Sequence, residues 1–320
     1  MMKMDEIRKV AVFGAGTMGP GLAQVFATKG YQVALCDISQ QALDVACSVL
    51  HTNLDTFVAN GLLTQEQAQA AFSNVRPTQS VEDAAHEADF VIECIVERKD
   101  AKKALYERLH ALCPERTLFT SNTSYLNIFD VMCAERQSRT VIAHWFAPPH
   151  IIPLVEVVRG PQTSQATMDL TVELLKHVDR VPVVMEKFVP GFCINRIQRI
   201  LGREIFFLLD NGYMTAEQLD IAVKASIIPR SMVLGLVQRY DFTGLDLSAK
   251  NLENTEFLEP PLDNYPRSLV EHVERGELGV KSGKGFFDYG GRKLEEILQE
   301  RDVALLEVFE RTKHLIDKRI

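Results

Sequence analysis

The sequence predicts an α/β chain: a doubly wound sheet domain followed by an all-α C-terminal domain. Three observations carry that prediction. Short apolar runs alternate with helix-period patterns through the first part of the chain. A glycine-rich turn follows the first of those runs and opens onto a helical pattern. After Lys187-Phe188-Val189-Pro190-Gly191 the strand signals stop and long apolar-periodic helices take over. The boundary is therefore placed at 187, with residues 1–187 as the sheet domain and residues 188–320 as the helical one.

The candidate strands, in order, are residues 9–13, 32–36, 90–94, 118–121, 140–143, 154–158 and 181–184. Helical patterns fall between most of them, which argues for parallel pairing. Residues 192–209 read as a long amphipathic helix. Thr215, followed by Gln218, gives the next helix a capping pattern. The glycine-rich stretch 283–290 breaks the chain. Beyond it Leu294, Ile297, Leu298, Leu305, Val308, Phe309, Leu315 and Ile316 mark a tail helix.

The glycine turn is the most specific local signal. Val10 to Phe13 read as a buried strand, and Gly14 permits a tight turn after it. Gly16 leaves no Cβ in the way of a pyrophosphate. Gly19 lets the following helix, residues 21–28, pack against the strand. Thr17 and Met18 complete the turn, whose free N–H groups would meet the phosphates. Asp37 ends the next strand about twenty residues on, where an acid can bind the adenosine ribose hydroxyls. A carboxylate there repels a 2′-phosphate. The cofactor expected of this Rossmann-type turn is NAD rather than NADP, the alternative being a βαβ turn with no ligand.

Composition removes several function classes. A formal charge of −8 offers no basic surface for nucleic acid. No apolar run reaches the roughly 18 residues that span a bilayer, and the first residues lack the apolar core of a secretory signal. The six cysteines (36, 47, 94, 113, 133 and 193) form neither a metal-ligand spacing nor a disulfide framework. Buried, reduced thiols in a cytoplasmic protein are expected.

The chemistry is expected in the stretch from His144 to Glu156. His144 lies just past an apolar strand and Glu156 lies inside another, Leu154-Val155-Glu156-Val157-Val158. Burying an unpaired carboxylate is costly, so Glu156 needs a partner. His144 is the candidate; His150 is nearer in sequence but sits in the proline-rich turn. Oxidising an alcohol needs a base for the hydroxyl proton while hydride leaves to a nicotinamide. Histidine titrates in the right range for that work.

Several motifs occur in an order that resembles the L-3-hydroxyacyl-CoA dehydrogenase family. They are the Gly-x-Gly-x-Met-Gly turn, Ser121-Asn122-Thr123-Ser124, the His…Pro…Leu-Val-Glu segment, Pro190-Gly-Phe-Cys-Ile-Asn-Arg196 and Gly283-Lys-Gly-Phe286. The resemblance spans roughly residues 8–290. That family includes β-hydroxybutyryl-CoA, carnitine and L-gulonate dehydrogenases and the lambda-crystallins. The resemblance implies His144 as general base and Glu156 as its orienting partner. It implies Ser124 and Asn195 as hydrogen-bonding groups at the reacting oxygen or substrate. Glu97, Lys102 and Asn122 match positions near the nicotinamide ribose and pyrophosphate. Other readings stand beside these: solvated charges at an exposed helix start for Glu97 and Lys102, a helix N-cap for Ser124, and a helix-surface amide for Asn195.

Departures from the family bear on substrate. Residues 30–74, where CoA-using members carry basic residues that meet the CoA phosphates, contain no Lys or Arg here. They carry Asp44, Asp55 and Glu66 instead. The family's usual His-x-x-Asn-Pro is His144-Trp-Phe-Ala147-Pro148 in this chain. Arg230, where the family often has Met-Gly-Pro, is a candidate carboxylate binder or an exposed loop arginine. The tail beyond Arg292 exceeds that of the CoA enzymes and resembles tails of members acting on small acids. The expectation is an NAD-dependent dehydrogenase of a small non-CoA hydroxy acid, working as a homodimer through its helical domain, without nucleic acid or membrane. The alternatives are a 3-hydroxyacyl-CoA substrate, and an NAD(H)-binding crystallin-like or sensor protein without turnover.

Overall fold

The computed structural model describes residues 2–256 and 258–319. It divides into two compact units, one ending at Asn195 and the other starting at Arg196. The division falls later than 187 because the intervening segment folds onto the sheet: Phe192 is fully buried in one of the sheet's two cores.

The first unit carries strands β1 (Lys9–Phe13), β2 (Gln32–Cys36), β3 (Val75–Thr78), β4 (Phe90–Glu93), β5 (Leu118–Ser121), β6 (Thr140–Trp145), β7 (Leu154–Arg159) and β8 (Val181–Met185). Its helices are α1 (Gly19–Ala27), α2 (Gln40–Ala59), α3 (Gln65–Ser73), α4 (Val81–Ala85), α5 (Lys99–Leu112) and α6 (Gln165–His177). The strands form one sheet in the order β3-β2-β1-β4-β5-β6-β7-β8. Crossovers run one way from β1 to β2 and the other way to β4. The carboxyl ends of β1 and β4 thus flank the switch point where such sheets bind ligands.

Alternation along each strand feeds two cores. Val10 and Val12 of β1 pack with Leu22, Phe26, Leu35 and Leu174 on one face. Ala11 and Phe13 pack with Tyr106, Leu109 and Phe119 on the other. Every residue of α1 is buried. Pro20 fits its first turn because that N–H has no intrahelical partner anyway. Ser39, Ser164 and the Thr64–Gln67 capping box start α2, α6 and α3.

One expectation needs correcting, and one strand, β3, was not expected from the sequence. The sheet is not parallel throughout: β6 and β7 are antiparallel, and β8 follows β7. The short connection 146–153 allows only a reversal, since a parallel crossover needs a dozen residues or more. The edge strand β3 carries no apolar alternation; its Arg76 and Pro77 are exposed, and proline is tolerated at an edge.

In the second unit α7 (Ile194–Asp210), which starts in the first, leads to α8 (Ala216–Ala225), α9 (Ile227–Thr243), α10 (Leu245–Leu252), α11 (Arg267–Glu274) and α12 (Leu294–Thr312). Thr215 caps α8 by accepting from the Gln218 amide. The Asp210 carboxylate accepts from the first amides of α11, Arg267 and Ser268, at 2.8 Å each. Among the described residues no helix is long and apolar enough to cross a membrane.

Candidate active site

The antiparallel pairing of β6 and β7 sets His144 directly opposite Glu156. Opposite residues in such a pair present their side chains on the same face. His144 Nδ1 lies 2.8 Å from Glu156 Oε2, and both side chains are buried. The other oxygen, Oε1, accepts from the backbone amides of Cys193 and Ile194, each at 2.9 Å. Phe192, at φ +51° in the left-handed region, precedes those two amides. Burial pushes the Glu156 carboxyl up. The hydrogen bonds from His144, Ile194 and Cys193 and the His144 charge outweigh it and hold the group below its ordinary 4.5. An ionised Glu156 draws the proton onto Nδ1, which leaves Nε2 as the acceptor. The rings of Phe146 and Phe192 flank the imidazole at centroid distances of 4.6 and 5.2 Å.

The loop after β5 lies beside this pair. Asn122 Oδ1 accepts from the Trp145 amide at 2.8 Å, tying the loop to the residue after His144. Ser124 donates its amide to Glu97 Oε1 at 2.8 Å, and Asn195 Nδ2 reaches the Ser124 carbonyl at 3.4 Å. Ser124 is no helix cap; the short helix that follows starts after Asn127.

Glu97 and Lys102 are not solvated charges. Lys102 is only 1% exposed, and its Nζ lies 2.6 Å from Glu93 Oε1 and 3.1 Å from Glu97 Oε2. Glu93 also accepts from Tyr106 Oη at 2.8 Å, Ser121 Oγ at 2.6 Å and the Ile95 amide at 2.9 Å. Burial pushes Glu97 up, but the Thr123 hydroxyl, the Lys102 charge and the Ser124 amide bring it below its usual range. Sequence reasoning missed Glu93, although Phe90-Val91-Ile92-Glu93 poses the same problem as Glu156: a carboxylate in an apolar strand.

The residues of the glycine turn fit a dinucleotide. Gly14 has φ +112°, and a Cβ there would sit 2.6 Å from the Cys94 carbonyl oxygen. A Cβ on Gly19 would meet the Gly14 oxygen at 2.1 Å. At Gly16 a Cβ would meet nothing within 4 Å, so that side of the turn is open to a ligand. Thr17 and Met18 lead into α1, whose N-terminus no side chain caps, leaving its first amides for an anion. Asp37 accepts from the Ala15 amide at 2.8 Å and the Ser39 amide at 2.9 Å, which links the end of β2 to the turn.

Other expectations fare differently. Arg230 lies in helix α9 rather than a loop, and its guanidinium turns back onto the Ser226 carbonyl and hydroxyl. Of the cysteines, all free, Cys36 and Cys113 are buried, but Cys193 is exposed.

A switch-point glycine turn and a buried His–Glu pair on the same sheet are features of an NAD-dependent oxidoreductase acting on a CH–OH group. The 3-hydroxyacyl-CoA dehydrogenase NAD-binding domain matches residues 9–188, and the C-terminal domain of the same enzymes matches residues 191–289. The chain belongs to the 3-hydroxyacyl-CoA dehydrogenase family. It is 32% identical over 305 residues to 5-formyl-3-hydroxy-2-methylpyridine 4-carboxylate 5-dehydrogenase of Mesorhizobium japonicum, covering 94% of this chain and 97% of that one. It is 34% identical over 284 residues to 3-hydroxybutyryl-CoA dehydrogenase of Clostridioides difficile, covering 88% and 99%. A crystal structure of the pyridine-carboxylate enzyme, described as an NAD+-dependent dismutase, superposes with a TM-score of 0.85 at 31% identity, covering 96% of this chain and 99% of that one.

Proposed function

We propose that the substrate is a small hydroxy acid without a CoA group. The observation that carries this is charge. Residues 30–74 hold no Lys or Arg, and Asp44, Asp55 and Glu66 are exposed on the α2–α3 hairpin they form. Phosphates beside those carboxylates would be repelled. Two further facts support the reading. Ala147, exposed after Phe146, has no amide to offer a substrate. The pyridine-carboxylate relative matches 94% of the chain, against 88% for the hydroxybutyryl-CoA relative.

In this reading His144 takes the hydroxyl proton at Nε2. Glu156 holds the ring by Nδ1 and stabilises the imidazolium that forms. Ser124 and Asn195 donate hydrogen bonds to the reacting oxygen. Gly14, Gly16, Thr17, Met18, Gly19 and Asp37 hold the adenosine and pyrophosphate half of the coenzyme. Glu97, Lys102 and Asn122 serve the nicotinamide half. NAD, when bound, supplies the hydride acceptor.

The working form is a homodimer through the helical unit. Among that unit's described residues only Leu219 and Leu306 are buried apolar side chains, whereas Val237, Leu252, Leu262 and Tyr265 are more than four-fifths exposed. Exposed apolar side chains in that number support an interface there. The free cysteines support a reducing compartment, the cytoplasm.

A side-by-side assay of acetoacetyl-CoA and free acetoacetate with NADH, extended to small aromatic and sugar-derived hydroxy acids with NAD+, tests the substrate. Turnover of free acids with higher kcat/KM than the thioester is expected. Strong preference for the thioester overturns the reading.

A further inference from the structure

We propose that Glu93, acting through Lys102 and Glu97, is a positioning residue that makes the nicotinamide site favour NAD+ over NADH. The inference rests on the coenzyme assignment above and asks what the buried charges next to that site do. Glu93 ends β4 and Ser121 ends β5. Asp37, on the β2 side of the glycine turn, faces the adenosine half. The nicotinamide half therefore extends over the other side, past the ends of β4 and β5. It must also come within van der Waals reach of a carbon whose hydroxyl His144 deprotonates.

The charges there do not cancel. Glu93 and Lys102 are both buried and paired at 2.6 Å. Lys102 then holds Glu97 at 3.1 Å, and Glu97 gathers the Thr123 hydroxyl and the Ser124 and Tyr125 amides. Tyr106 and Ser121 add neutral donors to Glu93 and no compensating cation. Two carboxylates and one ammonium leave one net negative charge. The basic neighbours along the chain are exposed and engaged elsewhere: Arg98 with Asp100, Lys99 with Asp130. The oxidised nicotinamide ring carries a positive charge and the reduced ring does not. A fixed negative charge in a partly dehydrated site therefore stabilises one redox form selectively.

The same chain of contacts gives Glu93 its route to the substrate loop. Glu93 fixes Lys102, Lys102 fixes Glu97, and Glu97 holds the backbone of Ser124. A second effect of Glu93 is therefore on the order of that loop, which the test must separate from charge.

The experiment measures dissociation constants of NAD+ and NADH, by fluorescence and calorimetry, for the full chain and for Glu93→Gln, Glu97→Gln and the double variant Glu93→Gln/Lys102→Met. Glu93→Gln and Glu97→Gln each bring the cluster to zero net charge. The double variant returns it to one negative charge with no buried ion pair. The Kd ratio of NADH to NAD+ is expected to fall about tenfold in both single variants, the size of one screened charge at this range, and to recover in the double variant. Glu97→Gln keeps its acceptor oxygen for the loop amides and decides the matter if the buried variants fail to fold. An unchanged ratio, or equal weakening of both coenzymes that the double variant does not reverse, overturns the inference and leaves the dehydrogenase reading standing. A wild-type chain that binds neither coenzyme overturns both.

Discussion

Replacing Glu156 by glutamine isolates what the carboxylate's charge contributes to the base. The amide can sit in only one orientation. Its oxygen must face Cys193 and Ile194, because an NH2 there would meet two N–H donors at 2.9 Å. Its NH2 then faces His144 Nδ1 at the 2.8 Å position and forces that nitrogen to accept. The ring proton moves to Nε2, the atom that takes the substrate's proton in the proposed reaction. Charge is lost as well. An imidazolium and a carboxylate with centres about 4 Å apart attract by about 4 kcal/mol at an effective dielectric of 20. That corresponds to about 10³-fold in rate, and the wrong tautomer brings the expected fall in kcat to about 10³–10⁴-fold. Steady-state kinetics on the best acid of the substrate panel measures it, alongside NAD+ binding, which should stay within about twofold. A loss of less than tenfold in kcat would show that the pair does not act as a base and its partner.

Three other outcomes are expected. His144→Ala should lower kcat by about 10²–10⁴-fold and retain NAD+ affinity; a mild effect removes His144 from its role. Asp37→Ala should weaken NAD+ and narrow its advantage over NADP+, measured as a ratio of dissociation constants, and an unchanged ratio removes the ribose assignment. The Glu156 carboxyl is held below its ordinary 4.5 in the folded chain, so its contribution to stability is complete above that value. The contribution is lost as pH falls through the lower folded value. Chemical denaturation of wild type and Glu156→Gln should converge as the pH drops below about 4; a gap that stays constant down to pH 3 contradicts the assignment.

Much of this was legible in the chain itself, and for physical reasons. The glycine turn is readable because Gly14 and Gly19 sit where a Cβ would strike backbone. The His144–Glu156 pair is readable because a carboxylate in an apolar strand needs a partner, and the proline-rich turn sends the chain back toward it. Other features have no local signature. Nothing in Val75-Arg76-Pro77-Thr78 identifies an edge strand, because an edge needs neither alternation nor every amide. The left-handed Phe192 is fixed by packing against His144 and Phe188 rather than by its residue type. Lys102 resembles an ordinary lysine at a helix start until Glu93 is placed beneath it. The end of the first unit is equally hidden, because 188–195 is held by a carboxylate thirty-odd residues earlier.

The strand reversal at β6 and β7 has an evolutionary corollary. The proposed base and its partner are matched by main-chain pairing, while the intervening stretch 146–153 lies outside the paired positions, with Phe146 flanking the imidazole. Ala147, exposed in that hairpin tip, can be exchanged without shifting the paired rungs that hold the proposed base and its partner. A shift of one position inside either strand would turn one partner through the sheet and disable it. Such an arrangement lets a lineage redesign what it recognises while the reaction it performs stays fixed.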